Sequence, residues 1–186
     1  MLELLQKIDI NTLKLIHDYS QNYILDKIMP FITFLGNLGL VWIVISIILI
    51  SSKKYRTIGI MCILVLIFNT ILGEGILKNL IQRQRPFMSM STVHLLIDKP
   101  ISFSFPSGHT STSFAIAGII WSQLKKYRVY VVLLACLIAF SRLYLFVHYP
   151  SDILGGIVQG LVCAKIVLKV YPTGGKRIPD IFTHGN

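Results

Sequence analysis

The chain has 186 residues, of which 54% are hydrophobic and 14% charged, and its formal net charge is +10. This composition excludes an ordinary soluble protein and indicates a polytopic membrane protein, with residues 1–186 forming a single domain. The basic residues are scattered between apolar runs, which argues against a nucleic-acid partner and favours cationic membrane flanks together with an anionic substrate.

The N-terminal region, residues 1–20, mixes apolar and charged side chains with a helical period. This pattern predicts an amphipathic helix that lies at the membrane interface or against the bundle, not a span. Residues 29–52 then carry no charge, but the run contains Pro30 and is interrupted by the two glycines of 36–39. Two interpretations stay open for it: one long tilted span, or a short half-helix followed by a span, which leaves an extra span within residues 1–36 open as well.

Four further apolar runs are long enough to cross a bilayer at ~1.5 Å per helical residue. With the uncharged run before them they predict an all-α, polytopic membrane helix bundle of five spans plus the N-terminal helix. The connector 87–105 mixes polar residues with Met, Leu, Ile and Phe, which predicts an interfacial lid on the membrane surface. The four runs are residues 57–80, 107–124, 130–146 and 153–170.

Basic residues collect on one side of this five-span arrangement, and by the positive-inside rule that side faces the cytoplasm. The C-terminus is then cytoplasmic, and residues 81–106 and 148–152 face outward, so we expect a multi-pass protein of the cell membrane with an extracytoplasmic site. The basic residues concerned are Lys53, Lys54, Arg56, Lys125, Lys126, Arg128, Lys165, Lys169, Lys176 and Arg177.

The first polar cluster at an outward helix end contains Lys78 and Arg85, followed by Pro86. The two cations are seven residues apart, so we expect both on one helix face, where they can converge on one anion. Cations that snorkel at a helix end are the more common explanation for such a pair alone. Glu74 lies one helical turn before Lys78 and either weakens its contact with an anion or helps to seat the helix end.

The second cluster, Pro106, Ser107, Gly108 and His109, stands directly before an apolar run. Proline suits a first helical turn, whose amides have no intrahelical partner. Gly108 lets an anion approach the backbone closely, Ser107 adds a hydroxyl donor, and His109 can donate a proton near neutral pH. The alternative is a helix cap with an incidental histidine.

The third cluster contains Ser141, Arg142, His148 and Asp152 and begins within a run that reads as membrane-buried helix. Charged residues in that setting usually mark a functional site, although a buried ion pair that pins two helices is the alternative. Ser141 and His148 are seven residues apart, so we expect them on one helix face. Asp152 follows His148 by four residues, where its carboxylate can hydrogen-bond one ring nitrogen and leave the other free to act.

Together the three clusters predict a site rich in cations and hydrogen-bond donors, which suits a phosphoryl group in its transition state. We expect His148, oriented by Asp152, to attack phosphorus, and His109 to protonate the leaving oxygen. The acidic residues are too few and too scattered for a metal site, and no cofactor is expected.

The motifs of the three clusters are, in order, Lys78-x6-Arg85-Pro86, Pro106-Ser107-Gly108-His109 and Ser141-Arg142-x5-His148-x3-Asp152. They resemble the three-part signature of the type 2 phosphatidic acid phosphatase family, which shares its site design with vanadium haloperoxidases. The resemblance covers residues 78 to 152 and implies an all-helical membrane core with a haloperoxidase-like site. It also implies metal-independent hydrolysis through a phosphohistidine on His148, with His109 as acid and Asp152 orienting His148. The phosphate binders it implies are Lys78, Arg85, Ser107, Gly108 and Arg142.

The small size and the N-terminal arrangement are similar to bacterial undecaprenyl pyrophosphate phosphatases of this family. The expected substrate is therefore a lipid pyrophosphate, undecaprenyl pyrophosphate first, reached from the bilayer at its outer face. Phosphatidic acid, phosphatidylglycerol phosphate or lipid A phosphate are alternatives with the same chemistry, and phosphotransfer to another lipid is a further one. An anion channel or transporter is a remote alternative, because a transporter has no need for a histidine backed by an aspartate. The sequence does not predict an oligomeric state.

Overall fold

The structure is a computed structural model that describes residues 2–89 and 94–171. All regular secondary structure within these two ranges is helical, as predicted. Lys176 and Arg177, near the C-terminus predicted to be cytoplasmic, lie outside the described residues. The α-helices are α1 (Leu2–Ser20), α2 (Tyr23–Leu35), α3 (Leu40–Ser51), α4 (Arg56–Thr70), α5 (Lys78–Ile81), α6 (Pro86–Ser89), α7 (Gly108–Gln123), α8 (Arg128–Tyr144) and α9 (Pro150–Val170).

The predicted N-terminal helix is present as α1, which packs against α8 and α9. Its inward face buries Leu13 completely and leaves Asp9 only 1% exposed, whereas Leu4, Leu5 and Leu15 point outward. Within the described part of the chain, α1 is not among the helices that are long and apolar enough to cross a membrane. The helix is therefore attached to the bundle by one face, and that face carries a buried acid.

Three helical stretches among the described residues are long and apolar enough to cross a membrane, or four if a bent pair forms one span. The predicted span 107–124 is not one of them, because it corresponds to α7, whose 16 residues extend only ~24 Å. Much of α7 is buried between α4, α8 and α9, so this helix forms the centre of the bundle. The stretches are Arg56–Ser89, Lys125–Tyr144 and Pro150–Val170, and the bent pair is Tyr23–Leu35 with Asn37–Ser51.

The interruption predicted at 36–39 is a short 3-10 turn that bends the chain by 48° between α2 and α3. Leu38 and Gly39 have φ angles of 51° and 70° there. This is the left-handed region, which glycine adopts without strain and other residues adopt rarely. The uncharged run is therefore not one straight helix, and its bend lies on the wall of the cavity described below.

The run that begins with α4 continues through a π-helical segment, Ile71–Leu77, directly into α5. The helix then ends because Gln82, with a φ of 50°, takes the left-handed conformation that commonly stops a helix. Arg85 therefore lies beyond the helix end. The prediction that Lys78 and Arg85 share one helix face was wrong, since the helical period is broken between them.

Helices α7 and α9 approach each other closely at glycines of α9. A Cβ atom on Gly160 would lie 2.3 Å from the carbonyl oxygen of Ser111 and 2.7 Å from the amide nitrogen of Ala115. Small residues permit such backbone contact between membrane helices. Near the helix starts, the Ser107 amide donates a hydrogen bond to the Asp152 carbonyl at 3.1 Å. This packing places the second and third polar clusters side by side.

The connector predicted to be an interfacial lid, 87–105, is described except for residues 90–93. Beyond the short helix α6, residues 94–105 form no regular secondary structure. Leu95 and Ile97 pack against apolar residues at the end of α8. The segment thus lies on the bundle, and its action as a lid stays a prediction.

Candidate active site

A cavity of about 1230 Å³ lies between α2, the π-helical segment Ile71–Leu77 and the N-terminus of α7. All the predicted site residues line it except Ser107 and Asp152, which are both completely buried. The structure therefore brings the three sequence clusters to one place. The predicted residues that line the cavity are Lys78, Arg85, Gly108, His109, Arg142 and His148.

His148 lies in the turn between α8 and α9 and is 1% exposed. Helix α8 ends at Tyr144, and Phe146 has a φ of 56°, so the expectation that Ser141 and His148 share a helix face was wrong. The turn directs Nε2 of His148 to within 3.1 Å of Nη1 of Arg85. Burial lowers the pKa of His148 to about 3, even though its contact with Asp152 acts in the opposite direction. The ring is therefore neutral at neutral pH.

The other ring nitrogen of His148, Nδ1, lies 3.5 Å from Oδ2 of Asp152. The same carboxylate oxygen accepts shorter hydrogen bonds from the Ser104 hydroxyl at 2.5 Å and the Tyr149 amide at 2.8 Å. Asp152 occupies the first turn of α9, which begins with Pro150. A carboxylate at a helix N-terminus is stabilised there by the free amides. The arrangement leaves Nε2 as the ring nitrogen that faces the cations.

Lys78 and Arg85 converge even though they do not share a helix. The Lys78 ammonium donates to the Ser102 hydroxyl at 3.0 Å, and the Arg85 guanidinium donates to the same hydroxyl at 3.1 Å. Arg85 also donates to the carbonyl oxygens of Ser102, at 2.7 Å, and Val147, at 2.8 Å. These contacts fix the guanidinium beside His148. Two buried cations next to each other favour an anion between them.

Arg142 projects from the last turn of α8 and is 3% exposed. One of its terminal nitrogens donates to the Thr33 hydroxyl of α2. Its Nε atom is buried without a hydrogen-bond partner, one of two such side-chain atoms in the described part of the chain. Because an unpaired buried donor is costly, this N–H is available to an acceptor such as a phosphate oxygen.

The N-terminus of α7 contributes Gly108 and His109 to the cavity wall. Ser107 is the residue before the helix, and its hydroxyl accepts a hydrogen bond from Thr110 at 2.9 Å. Nε2 of His109 lies 2.9 Å from the side-chain oxygen of Asn37 in the bend after α2. A Cβ atom on Gly36 would lie 2.7 Å from the His109 ring, so the bend and the ring fit closely.

Several residues at the site were not predicted from the sequence. Arg83 forms an ion pair with Asp152 at 2.7 Å, and Asn37 contacts His109. Ser102 and Ser104 were assigned to the lid, yet they contact Lys78, Arg85 and Asp152. Their alternation with Phe103 and Phe105 is the signal that could have found them, because in an extended segment it places both serines on one side.

Comparison with known proteins agrees with this geometry. The family model of the PAP2 superfamily matches residues 59–176. The chain belongs to the PAP2 superfamily. It is thus a phosphatase, a hydrolase of lipid phosphate esters, and its family confirms the resemblance drawn from the three motifs. Helices α1–α3 lie before the first residue that the family model matches.

Similar proteins include an undecaprenyl-diphosphatase of Sulfolobus acidocaldarius, 29% identical over 89% of this chain and 80% of the relative. Among solved structures, a transmembrane PAP2 type phosphatidylglycerolphosphate phosphatase from Bacillus subtilis is 28% identical, with a TM-score of 0.74 over 94% of this chain and 89% of that one. A bacterial vanadium-dependent iodoperoxidase has the same fold at 13% identity, with a TM-score of 0.53 over 89% of this chain and 47% of that one. The predicted haloperoxidase-like helical core is therefore confirmed.

Proposed function

We propose that this phosphatase hydrolyses a lipid pyrophosphate, with undecaprenyl pyrophosphate as its substrate, through a phosphohistidine on His148. The proposal rests on one observation above all, the position of Nε2 of His148. This atom lies 3.1 Å from the Arg85 guanidinium, on the wall of a cavity that Lys78 and Arg142 also line. A phosphate held by these three cations presents its phosphorus to the imidazole.

In the first step, Nε2 of His148 attacks phosphorus, and the bond from phosphorus to the leaving oxygen breaks. Burial keeps the ring neutral, so the lone pair is available. The Nδ1 atom faces the carboxylate of Asp152, which stabilises the positive charge that the ring acquires. His109 donates a proton to the leaving oxygen, and with a pyrophosphate substrate the lipid monophosphate departs.

In the second step, water attacks the phosphorus of the phosphohistidine, and His109, now neutral, accepts the proton of that water. The bond between nitrogen and phosphorus breaks, inorganic phosphate leaves, and His148 is neutral again. Lys78, Arg85 and Arg142, together with Ser107 and the amide of Gly108, are the proposed phosphate binders. Their positive charge offsets the charge on the phosphoryl oxygens in both transition states.

The apolar part of the cavity supports a lipid tail on the substrate. The volume of about 1230 Å³ exceeds the roughly 300–1,000 Å³ of ordinary small-molecule sites. Its wall also includes apolar side chains of α3, α4 and the π-helical segment, several of which are exposed on the outside of the bundle. An isoprenoid chain can lie there while the phosphates reach the polar end. The apolar wall includes Ile43, Ile63, Leu66, Ile67 and Ile71.

We also propose that the cavity opens at the extracytoplasmic face, because basic residues of the helix connections lie at the opposite ends of the spans. Labelling with a membrane-impermeant maleimide tests this in intact cells, in a background where the exposed Cys136 is replaced by serine. Lys99→Cys, in the connector after α6, is expected to be labelled. Lys53→Cys, between α3 and α4, is expected to react only after permeabilisation, and the reverse pattern contradicts the proposal.

Phosphate release from undecaprenyl pyrophosphate by the purified protein, measured with a chelator present, tests the reaction. His148→Ala should lower the rate by more than about 10³-fold, as expected on loss of an enzymatic nucleophile. His94→Ala is the matched control, since this histidine is exposed in the connector and does not line the cavity in the described part of the chain. Comparable turnover by His148→Ala excludes the phosphohistidine mechanism.

A second candidate substrate is phosphatidylglycerol phosphate, favoured by the similarity over nearly the whole chain to the Bacillus subtilis phosphatase of that lipid. The kcat/KM values for the two lipids, measured under the same conditions, separate the candidates. A clear preference for phosphatidylglycerol phosphate assigns the substrate to this second candidate while leaving the site chemistry unchanged.

A further inference from the structure

Helix α1 carries a buried acid that the reaction described above does not use. Asp9 is 1% exposed, and its carboxylate forms an ion pair with Arg83 at 2.6 Å. The same carboxylate accepts hydrogen bonds from the amide of Ser151 at 2.9 Å and from its hydroxyl at 2.5 Å. Burying a charge is costly unless it is paired, and the partners of Asp9 are Arg83 and Ser151, the residue before Asp152.

Arg83 joins this acid to the candidate active site. One terminal nitrogen of its guanidinium donates to Asp9, while the other donates to Oδ1 of Asp152 at 2.7 Å and to the Ser151 hydroxyl at 2.6 Å. The guanidinium also lies 4.1 Å from the centre of the Tyr149 ring, in a cation–π contact. These contacts hold the planar guanidinium of Arg83 in one orientation. A lysine, with a single ammonium group, could not make the same set of contacts.

The contact with Arg83 distinguishes the two carboxylate oxygens of Asp152. Arg83 occupies Oδ1, so Oδ2 is the oxygen left to face Nδ1 of His148. The Ser104 hydroxyl and the Tyr149 amide hold Oδ2, and Arg83 holds Oδ1, so the carboxylate is fixed at both of its oxygens. Loss of the Arg83 contact would leave the carboxylate held at Oδ2 alone and freer to tilt away from the ring, and Asp9 keeps Arg83 in place from the opposite side.

The net charge of Asp9, Arg83 and Asp152 also affects the stability of the charged His148 ring. Asp9 and Asp152 each carry one negative charge and Arg83 carries one positive charge, so the three together are anionic. A net negative group behind His148 stabilises the positive ring that forms when nitrogen bonds to phosphorus. Neutralising Asp9 leaves Arg83 to pair with Asp152 alone, which weakens the attraction between Asp152 and the charged ring.

We propose that the ion pair between Asp9 of α1 and Arg83 positions the Asp152 carboxylate behind His148, so that the N-terminal helix sets the rate of phosphoryl transfer. Asp9 and Arg83 are positioning residues, since neither lines the cavity in the described part of the chain. Asp9 also lies outside residues 59–176, which the family model matches. The inference rests on the proposed function, in which His148 is the nucleophile.

Asp9→Asn tests the proposal, because it removes the charge and keeps the size of the side chain. Its kcat should fall by about 10-fold while KM stays within about twofold, as expected of an interaction that acts in the transition state. Asp18→Asn is the matched control, an acid of the same helix that is exposed, and it should retain the wild-type kcat. Equal kcat for Asp9→Asn and wild type overturns the proposal, as does a change in KM alone.

Ser151→Ala gives an independent measurement if Asp9→Asn does not fold. It removes the hydroxyl that bridges Asp9 and Arg83 and leaves all three charges, so kcat should fall by about threefold at unchanged KM. An unchanged kcat overturns the proposal here too. His148→Ala distinguishes failure of the positioning role of α1 from failure of the proposed function. If His148→Ala is inactive while the Asp9 and Ser151 variants turn over normally, only the role of α1 fails. If it is active, the proposed function fails first.

Discussion

The carboxylate of Glu74 lies 2.7 Å from the ammonium of Lys78, on the wall of the cavity that contains His148. A Cβ atom on Gly108 would lie 2.6 Å from the same carboxylate. Glu74 therefore stands between a cation and a helix N-terminus, the place where a phosphate oxygen is expected. Of the two roles considered for Glu74, we propose competition with an anion, because its carboxylate pairs with Lys78 on the cavity wall and its side chain is 44% exposed.

Glu74→Gln should therefore tighten the binding of phosphate-like anions. Vanadate mimics the five-coordinate phosphorus, and its inhibition constant should fall by about fivefold, since an exposed like-charge contact costs up to ~1 kcal/mol. Inhibition of phosphate release by vanadate gives the measurement. Glu3→Gln, an exposed acid on α1, is the control and should leave the constant unchanged. If vanadate inhibited Glu74→Gln more weakly than the wild type, the carboxylate would instead help to hold Lys78 in place for the anion.

Asn37 orients His109, because its side-chain oxygen lies 2.9 Å from the Nε2 atom of the ring. Asn37→Ala should lower kcat on a lipid phosphate by about 10-fold, the usual effect of losing a partner that orients a functional histidine. With an aryl phosphate whose nitrophenolate leaves without a proton, the loss should be much smaller. Asn11→Ala, at an exposed position of α1, is the control. An equal loss on both substrates would contradict a role of His109 as the acid.

The helical character, the membrane class and the family could all be predicted from the sequence, because long apolar runs and complete motifs are local signals. The motifs also identified the residues that converge on the cavity. Their relative placement was predicted less well: a shared helix face was expected for Lys78 with Arg85 and for Ser141 with His148. Both predictions assumed continuous helices, and in both cases a residue with positive φ ends the helix between the pair.

The contacts made by Arg83 and Asp9 could not have been predicted, for a physical reason. Seventy-odd positions separate them in sequence, so their pairing depends on how α1 docks against the start of α9. A buried acid on an amphipathic helix looks like an ordinary polar-face residue until the docking face is known. The contacts of Ser102 and Ser104 could not have been predicted either, because the fold brings the cations and the Asp152 carboxylate to these two serines.

The pH dependence of the reaction should reflect the burial of His148. A lowered pKa, about 3, means that the ring stays neutral as the pH falls through the range where an ordinary histidine gains its proton. The acid limb of kcat/KM, which reports groups of the free enzyme, should therefore lie below pH ~5 after correction for ionisation of the substrate. The profile should be bell-shaped, because His109 must carry its proton in the first step. Burial and the nearby Arg142 lower the pKa of His109 well below its ordinary value, so the alkaline limb should lie below pH ~6.5. An acid limb centred near 6.5 would contradict a neutral, buried nucleophile.

Close packing of α7 against α9 should make Gly160 sensitive to substitution. A Cβ atom there would lie 2.3 Å from the Ser111 carbonyl oxygen, and backbone cannot give way as a flexible side chain can. Gly160→Ala should therefore destabilise the protein by about 1–3 kcal/mol, as overpacking usually does. Gly75→Ala is the matched control, because nothing lies within 4 Å of its added methyl group and the helix gains from losing a glycine. Thermal unfolding in detergent should show a lower Tm for Gly160→Ala and an equal or higher Tm for Gly75→Ala. If both variants had the wild-type Tm, the two helices would be farther apart at Gly160 than this packing requires.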